Sequence, residues 1–223
     1  MADFILPIAE TIFDPKGPLP NTHRKFTGRQ TFLRALFSDF REVISAYQSL
    51  IEFPWLARSR PRKRCQLTTG RIVTFWREAY LNELYIFSLR LDAYITRVAR
   101  LYRRDVSAAK VAKLADYLRG VIAEHFGDFI EMPGEHVHQR RYEFVDLELQ
   151  RIQSLEMLAI HGKVASLRKL YDHAVRTARN QNTTNFRRIN AAAKDALKAV
   201  FESYNRFMLT TSGELNYPSN LPR

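Results

Sequence analysis

Apolar positions recur at intervals of three and four along most of the chain, the period of an α-helix with one buried face. In the first such stretch the stripe is Leu33, Leu36, Phe37, Phe40, Val43, Ile44, Tyr47 and Ile51. Thr27 and Gln30 have the spacing of a capping box at its start, and Pro54 puts its end near Phe53. A second helix is predicted from Gly70 to Arg104, burying Trp76, Tyr80, Leu84, Phe87, Leu91, Tyr94, Ile95, Val98 and Leu101. At about 1.5 Å per residue it spans roughly 50 Å, so it is expected to project beyond its neighbours or to bend. A third helix starts at Asp105 or Ser107 and runs to about Phe126 through Val111, Leu114, Leu118, Val121 and Ile122. Gly127, Pro133 and Gly134 then interrupt the period, and residues 127–140 read as a loop. A fourth helix from near Tyr142 uses Val145, Leu149, Ile152, Leu155 and Leu158 before Gly162. From Lys163 to Thr210 the pattern is helical again, although NQNTTN over Asn180–Asn185 is weak helix material and predicts a break or kink.

No alternating stretch predicts a strand and no repeat period is visible. The fold that follows is all-α, an antiparallel up-and-down helical bundle with long second and C-terminal helices. Residues 1–26, with Pro7, Pro15, Pro18 and Pro20, read as an irregular N-terminal arm packing through Phe4, Ile5, Leu6, Ile12 and Phe13. Residues 27–210 read as a single bundle domain and 211–223 as a flexible, frayed tail.

At 223 residues, 46% hydrophobic and 26% charged, the chain has enough apolar material for one substantial core. Its single cysteine, Cys65, permits no intramolecular disulfide and points to a reducing compartment, so a cytoplasmic location is expected. The opening MADFILPIAE lacks the basic start of a signal peptide, and no uncharged run approaches the roughly 18 residues a membrane span needs.

Charge changes the picture more. Thirty-five Lys and Arg against 23 Asp and Glu leave +12, and 26 of the cations are arginine. Guanidinium groups pair bidentately with phosphate and stack on bases, whereas lysine would serve for solubility alone. RNA or another polyanion is the expected partner, against the plainer reading of a basic solvated surface. The cations cluster: ARSRPRKRC places Arg58, Arg60, Arg62, Lys63 and Arg64 in one Pro-interrupted loop. Between His173 and Lys194 no carboxylate occurs, while Arg176, Arg179, Arg187 and Arg188 stand among Asn and Thr residues. These nine cations are the candidate nucleic-acid contacts. Glu124, Asp128, Glu131, Glu135, Glu143, Asp146, Glu148 and Glu156 make an opposing acidic stretch. Trp76, Tyr85, Phe87 and Tyr94 alternate with cations on the second helix, but aromatic residues at helical spacing are expected in the core rather than stacked on bases.

The chain has no phosphate-binding P-loop, no GxGxxG, no HExxH and no CxxC, so no small-molecule cofactor and no metal are expected. The densest chemistry is EMPGEHVHQRRYEF, from Glu131 to Phe144. In an extended segment His136 and His138 would share a face, with Glu131 or Glu135 near, an arrangement that could hold a ligand. A polar loop whose imidazoles bond to backbone groups is the simpler reading.

The connector GEHVHQRRYEF, the following DLELQRIQSLEML helix and the long bundle helices resemble, over about residues 70–180, the HEPN-like helical bundle proteins of bacteria. The resemblance implies a helical protein acting on RNA, with a homodimer as one expected assembly. HEPN ribonucleases carry an arginine, four to six variable residues and a histidine, which cleave RNA without metal at a dimer interface. With His138 as that histidine, Pro133 stands where the arginine belongs, so the motif reads as degenerate. Arg119 to His125 and Arg168 to His173 match the spacing, but helical geometry turns the members of each pair to different faces. The chemistry such an enzyme needs is a base, an acid and positive charge for the phosphorane oxygens. His136 and His138 are the candidate acid and base, with Arg140 or Arg141 clamping the anion. Three readings follow: a nucleic-acid-associated helical protein with an altered catalytic centre, a metal-independent endoribonuclease serving as a toxin or in phage defence, and a protein-binding scaffold or adaptor.

Overall fold

The computed structural model describes residues 27–58, 67–139 and 147–219, with backbone alone for 127–139 and 147–149. The expected N-terminal arm, residues 1–26, lies outside the described residues. Among those described are five α-helices and no β-strand: α1 (Gly28–Leu56), α2 (Thr69–Leu101), α3 (Ala108–Gln139), α4 (Leu147–Glu156) and α5 (Ala165–Met208). A π-helical turn, Met157–His161, continues α4. The fold is therefore an all-α helical bundle, and no helix among the described residues is long and apolar enough to cross a membrane.

The capping box is present: Gln30 N–H donates to Thr27 Oγ1 at 3.2 Å and Thr27 N–H donates to Gln30 Oε1 at 3.0 Å. Contacts between α1 and α2 run in opposite residue order, Asp39 to Arg97, Tyr47 to Phe87 and Phe53 to Trp76. Between α2 and α5 they run in the same order, Tyr80 to Phe186, Tyr94 to Tyr204 and Tyr102 to Phe207. The principal core lies between α1, α2, α3 and α5, with Val43, Leu50, Phe87, Leu91, Ile95, Leu118, Ala193 and Val200 buried. The long α2 does project beyond it, and the projection is covered rather than bare. Val73 near its N-terminus packs with Ile152 and Ala159 of the α4 region and with Tyr171, Val175 and Ala178 of α5 in a second small core.

Four expectations are corrected. Pro54 does not stop α1, which continues to Leu56. Proline removes the N–H that would have bonded the Leu50 carbonyl. Asn190 of α5 replaces it: its Nδ2 donates to Leu50 O at 3.1 Å, and its Oδ1 accepts from the Tyr80 hydroxyl at 2.9 Å. Nor does NQNTTN break α5, where its two buried polar side chains find partners. The Asn182 Nδ2 donates to Val73 O of α2 at 3.3 Å, and the Thr183 hydroxyl donates back to Arg179 O at 2.9 Å. Residues 127–139, read as loop, continue α3 through Gly127, Pro133 and Gly134; propensity is a weak prior, outweighed here by the helix-forming residues around those breakers. The tail expected to fray instead folds back as far as Ser219. Asn216 N–H donates to Met208 O at 2.6 Å, Tyr102 donates to Asn216 O, and Tyr217 packs edge-on against Phe32 at 5.6 Å.

Two stripe residues also sit differently. Ile51 is exposed, and α1 buries Phe32, Leu36, Val43, Ala46, Leu50 and Phe53 instead. Leu158 is exposed because steps of three from Leu149 lag about 60° each behind the helix, while Ile152, Glu156 and Ala159 keep the buried phase. Glu156, a buried carboxylate, accepts from Tyr171 at 3.4 Å, whose oxygen in turn accepts from Gly70 N–H at 2.9 Å. Gly70 is required by this close approach: a Cβ there would lie 2.7 Å from both Glu156 Oε2 and Ile152 Cγ2. Among the described residues no buried side-chain nitrogen or oxygen lacks a partner.

Replacing Asn190 by Ala should cost about 2 kcal/mol in denaturant unfolding, since it strands the Leu50 carbonyl in the core. The cost should shrink in a Pro54→Ala background, where a backbone N–H again reaches that carbonyl, and equal costs in both backgrounds would refute the coupling. The turn at Asp105 gives a second test. Hydrogen bonds from Ser107 and Ser219 hold its carboxyl well below the usual carboxylate range. A depressed folded-state value stabilises the fold fully above about pH 4 and is lost as pH falls further. The urea midpoint of Asp105→Asn should therefore lie below wild type at pH 7, with the gap narrowing by pH 3.

Candidate nucleic-acid interface

Four of the nine predicted cations, Arg176, Arg179, Arg187 and Arg188, lie on α5. Val175, Asn182, Phe186, Ile189 and Ala193 give α5 one buried line. Lys169, Arg176, Arg187 and Lys194 are exposed roughly 120° round the helix from it, by its 100° step. Lys169 and Arg187 are eighteen residues apart, as are Arg176 and Lys194, and eighteen residues make five whole turns. The four thus form a stripe roughly 37 Å long. Exposed Arg188 and half-buried Arg179 flank it on either side. None of Arg176, Arg179, Arg187 and Arg188 pairs with a carboxylate among the described residues; Arg176 Nε donates only to the Asp172 carbonyl, at 3.3 Å.

Arg58 is exposed just past the end of α1. That end lies beside the arginine stretch, because Phe53 packs on Phe186 with ring centres 6.2 Å apart and Leu50 meets Asn190. The chain therefore leaves α1 toward the basic loop at the level of the α5 arginines. Arg60, Arg62, Lys63 and Arg64 lie outside the described residues.

Exposed aromatic side chains stand at this same end and were not among the predicted contacts. Trp55 is 73% exposed in the last turn of α1, and Phe75 is 54% exposed in the first turns of α2, its ring 5.4 Å from Trp76. Helical phase carries the signal that would have found Trp55: two residues past buried Phe53 is about 200° around the helix. The aromatics assigned to the core behave otherwise. Phe87 and Tyr94 are buried and Trp76 packs against the core, while Tyr85 is only half-buried. Burial raises the Tyr80, Tyr94 and Tyr204 hydroxyls far above the usual phenol range, so they act as neutral hydrogen-bonding groups.

The candidate catalytic group divides. His136 and His138 lie on the helical backbone of α3, their side chains outside the description, and Arg140 and Arg141 lie outside the described residues. The shared-face geometry of the two histidines required extended backbone; two residues along a helix are about 200° apart. The alternative motif pairs are engaged or divergent. Arg119 donates to Asp92 Oδ1 at 3.0 Å, Asp116 Oδ1 at 3.2 Å and Thr96 Oγ1 at 3.0 Å, joining α3 to α2. The bond to Asp92 pushes its guanidinium further above the usual arginine value. The His125 Nδ1 lies 2.8 Å from its own helix's Val121 carbonyl. Arg168 and His173 are both exposed on α5, roughly 140° apart around it. No group of three or more metal-ligating side chains occurs among the described residues.

Comparison with known proteins finds no matching family model, no matching curated protein and no matching solved structure.

The two sides of α5 should respond oppositely to substitution. Arg176→Gln, Arg187→Gln and Arg188→Gln, which break no ion pair, should each leave unfolding free energy within about 0.5 kcal/mol of wild type. Asn182→Ala, which removes the buried bond from its Nδ2 to the Val73 carbonyl, should cost about 1 kcal/mol in the same urea titrations. A large loss from the arginine variants would assign those residues to stability.

Proposed function

We propose that this protein is a nucleic-acid-associated helical bundle, RNA-facing, that binds through the solvent arc of α5 together with Arg58, Trp55 and Phe75. One observation carries the reading: arginines unpaired with carboxylates recur along one exposed arc of a single rigid helix, at the same level as two exposed aromatic rings. Arginine on a rigid helix supplies bidentate phosphate contacts at low ordering cost. Exposed rings beside a cationic surface supply stacking platforms for unpaired bases, which favours single-stranded RNA over duplex. The HEPN-like motif enters this reading as degenerate, with Pro133 in the arginine position and no step of catalysis assigned to His136, His138, Arg140 or Arg141.

The expected binding is electrostatic and steeply salt-dependent. Fluorescence anisotropy with a single-stranded RNA, repeated across a salt series, should give a linear log–log plot. Each phosphate contact removed by Arg176→Gln, Arg187→Gln or Arg188→Gln should lower its slope by about 0.7. Trp55→Ala should weaken binding about tenfold or more while leaving the slope unchanged, as loss of stacking requires. Affinity indifferent to salt, or equal in the arginine variants and wild type, would overturn the proposal.

A further inference from the structure

A second basic feature lies at the opposite end of the bundle and was not among the predicted contacts. Where α2 ends, Arg100, Leu101, Arg103 and Arg104 line a surface recess of about 300 Å³. The three arginines are exposed and Leu101 is half-buried between them. Tyr80 of α2 sits beside Phe186 and Asn190 of α5, and Arg100 is twenty residues further along, roughly 30 Å up the helix axis. The recess is therefore separate from the surface proposed for RNA.

Three guanidinium groups on five consecutive residues repel one another, and surfaces of this kind ordinarily carry interleaved carboxylates. Here none of the three pairs with a carboxylate among the described residues. The nearest candidate along the chain, Asp105, is already committed. Its Oδ2 accepts from the Ser107 N–H and hydroxyl, and its Oδ1 accepts from the Ser219 N–H and hydroxyl at 2.8 and 2.7 Å. The tail that folds back over the bundle thus holds the one adjacent carboxylate in hydrogen bonds to serine rather than in an ion pair with any of the three arginines. It also stiffens the turn: Tyr102 is buried and donates to Asn216 O, Arg103 N–H donates to Arg100 O at 3.3 Å, and Asp105 N–H donates to Tyr102 O at 3.0 Å. Lys110 and Lys113, both exposed on the first turns of α3, keep the surroundings positive.

A concave site bearing three unneutralised guanidinium groups on a fixed turn complements a multivalent oxyanion, since the planar fork of arginine matches phosphate oxygens two at a time. Its volume lies at the small end of ligand sites. We propose that the α2–α3 turn is an oxyanion site for the phosphate end of a diphosphate or phosphate ester, held by Arg100, Arg103 and Arg104.

Isothermal titration of the full chain with inorganic pyrophosphate, at ionic strength matched with sodium chloride, tests the site. A saturable single-site heat is expected in wild type. It should weaken at least tenfold in Arg100→Gln/Arg103→Gln/Arg104→Gln and stay unchanged in Arg187→Gln/Arg188→Gln. Should the triple variant fail to fold, the single exposed Arg104→Gln should still show a severalfold loss with an unaltered circular dichroism spectrum. Competition with a 5′-phosphorylated and a 5′-hydroxyl RNA oligonucleotide separates the sources of the phosphate. Displacement of pyrophosphate by the phosphorylated strand alone places a nucleic-acid end in the recess; no displacement with pyrophosphate still bound places a free phosphate compound there. No saturable heat beyond the chloride control, or equal heats in wild type and the arginine variants, would overturn the proposal. The result is independent of the α5 surface, whose failure would show as lost salt dependence of RNA binding with the pyrophosphate heat intact.

Discussion

The bundle depends on one hydrogen-bonding side chain, Asn190. Pro54 leaves the Leu50 carbonyl of α1 without its helical donor, at a partly buried position beside the cluster of Phe53, Trp76, Tyr80 and Phe186. An unpaired carbonyl there would cost more than the proline itself contributes by stiffening the chain. The Asn190 amide has both a donor and an acceptor, and it uses them on two different helices: the donor on Leu50 of α1, the acceptor on Tyr80 of α2. Three helices are thereby held in one register at one point. The Tyr80 ring then stacks on Phe186 with centres 4.0 Å apart, so the polar node and the aromatic cluster support the same arrangement.

That register decides what α5 shows to solvent. Asn190 and Asn182 are bonded to other helices a little over two turns apart, and both bonds fix the rotation of α5 about its axis. Once the line of Val175, Asn182, Phe186, Ile189 and Ala193 faces inward, Arg176, Arg187 and Lys194, roughly 110–130° further round the helix, are left on its solvent side. The exposure of these cations thus follows from which line of α5 is buried. The same logic separates two classes of arginine in the molecule. Arg97 and Arg119 sit on helix faces that meet a neighbour, and they pair with Asp39 and Asp92 across the α1–α2 and α2–α3 seams. The arginines of α5 and of the α2–α3 turn pair with no carboxylate among the described residues.

The two ends of the long α2 are closed by different devices. At its start, Gly70 lets α4 approach closely enough for Tyr171 to cap a free backbone N–H and for Glu156 to be buried against that hydroxyl. At its finish, the chain after α5 returns to bond Tyr102 and Asp105. The first closure turns the projecting end of α2 into a second core, and the second consumes the only carboxylate in the α2–α3 turn.

Helix existence, the Thr27 cap, the core-facing phase of α2 and the clustering of arginine were determined by the amino-acid sequence alone, because each rests on residues within a few positions of one another. What escaped it was of another kind. Pro54, Pro133 and the NQNTTN run are locally unfavourable to a helix, and at Pro54 and Asn182 the compensating partner is more than a hundred positions away. The exposure of Phe75 and the commitment of Asp105 to Ser219 likewise depend on which distant segment lies alongside. Local pattern names the charges and the faces; only the packed bundle decides which breaker is rescued, which aromatic ring stays in water and which arginine is left without a counter-ion, since those outcomes are set by partners brought together through space.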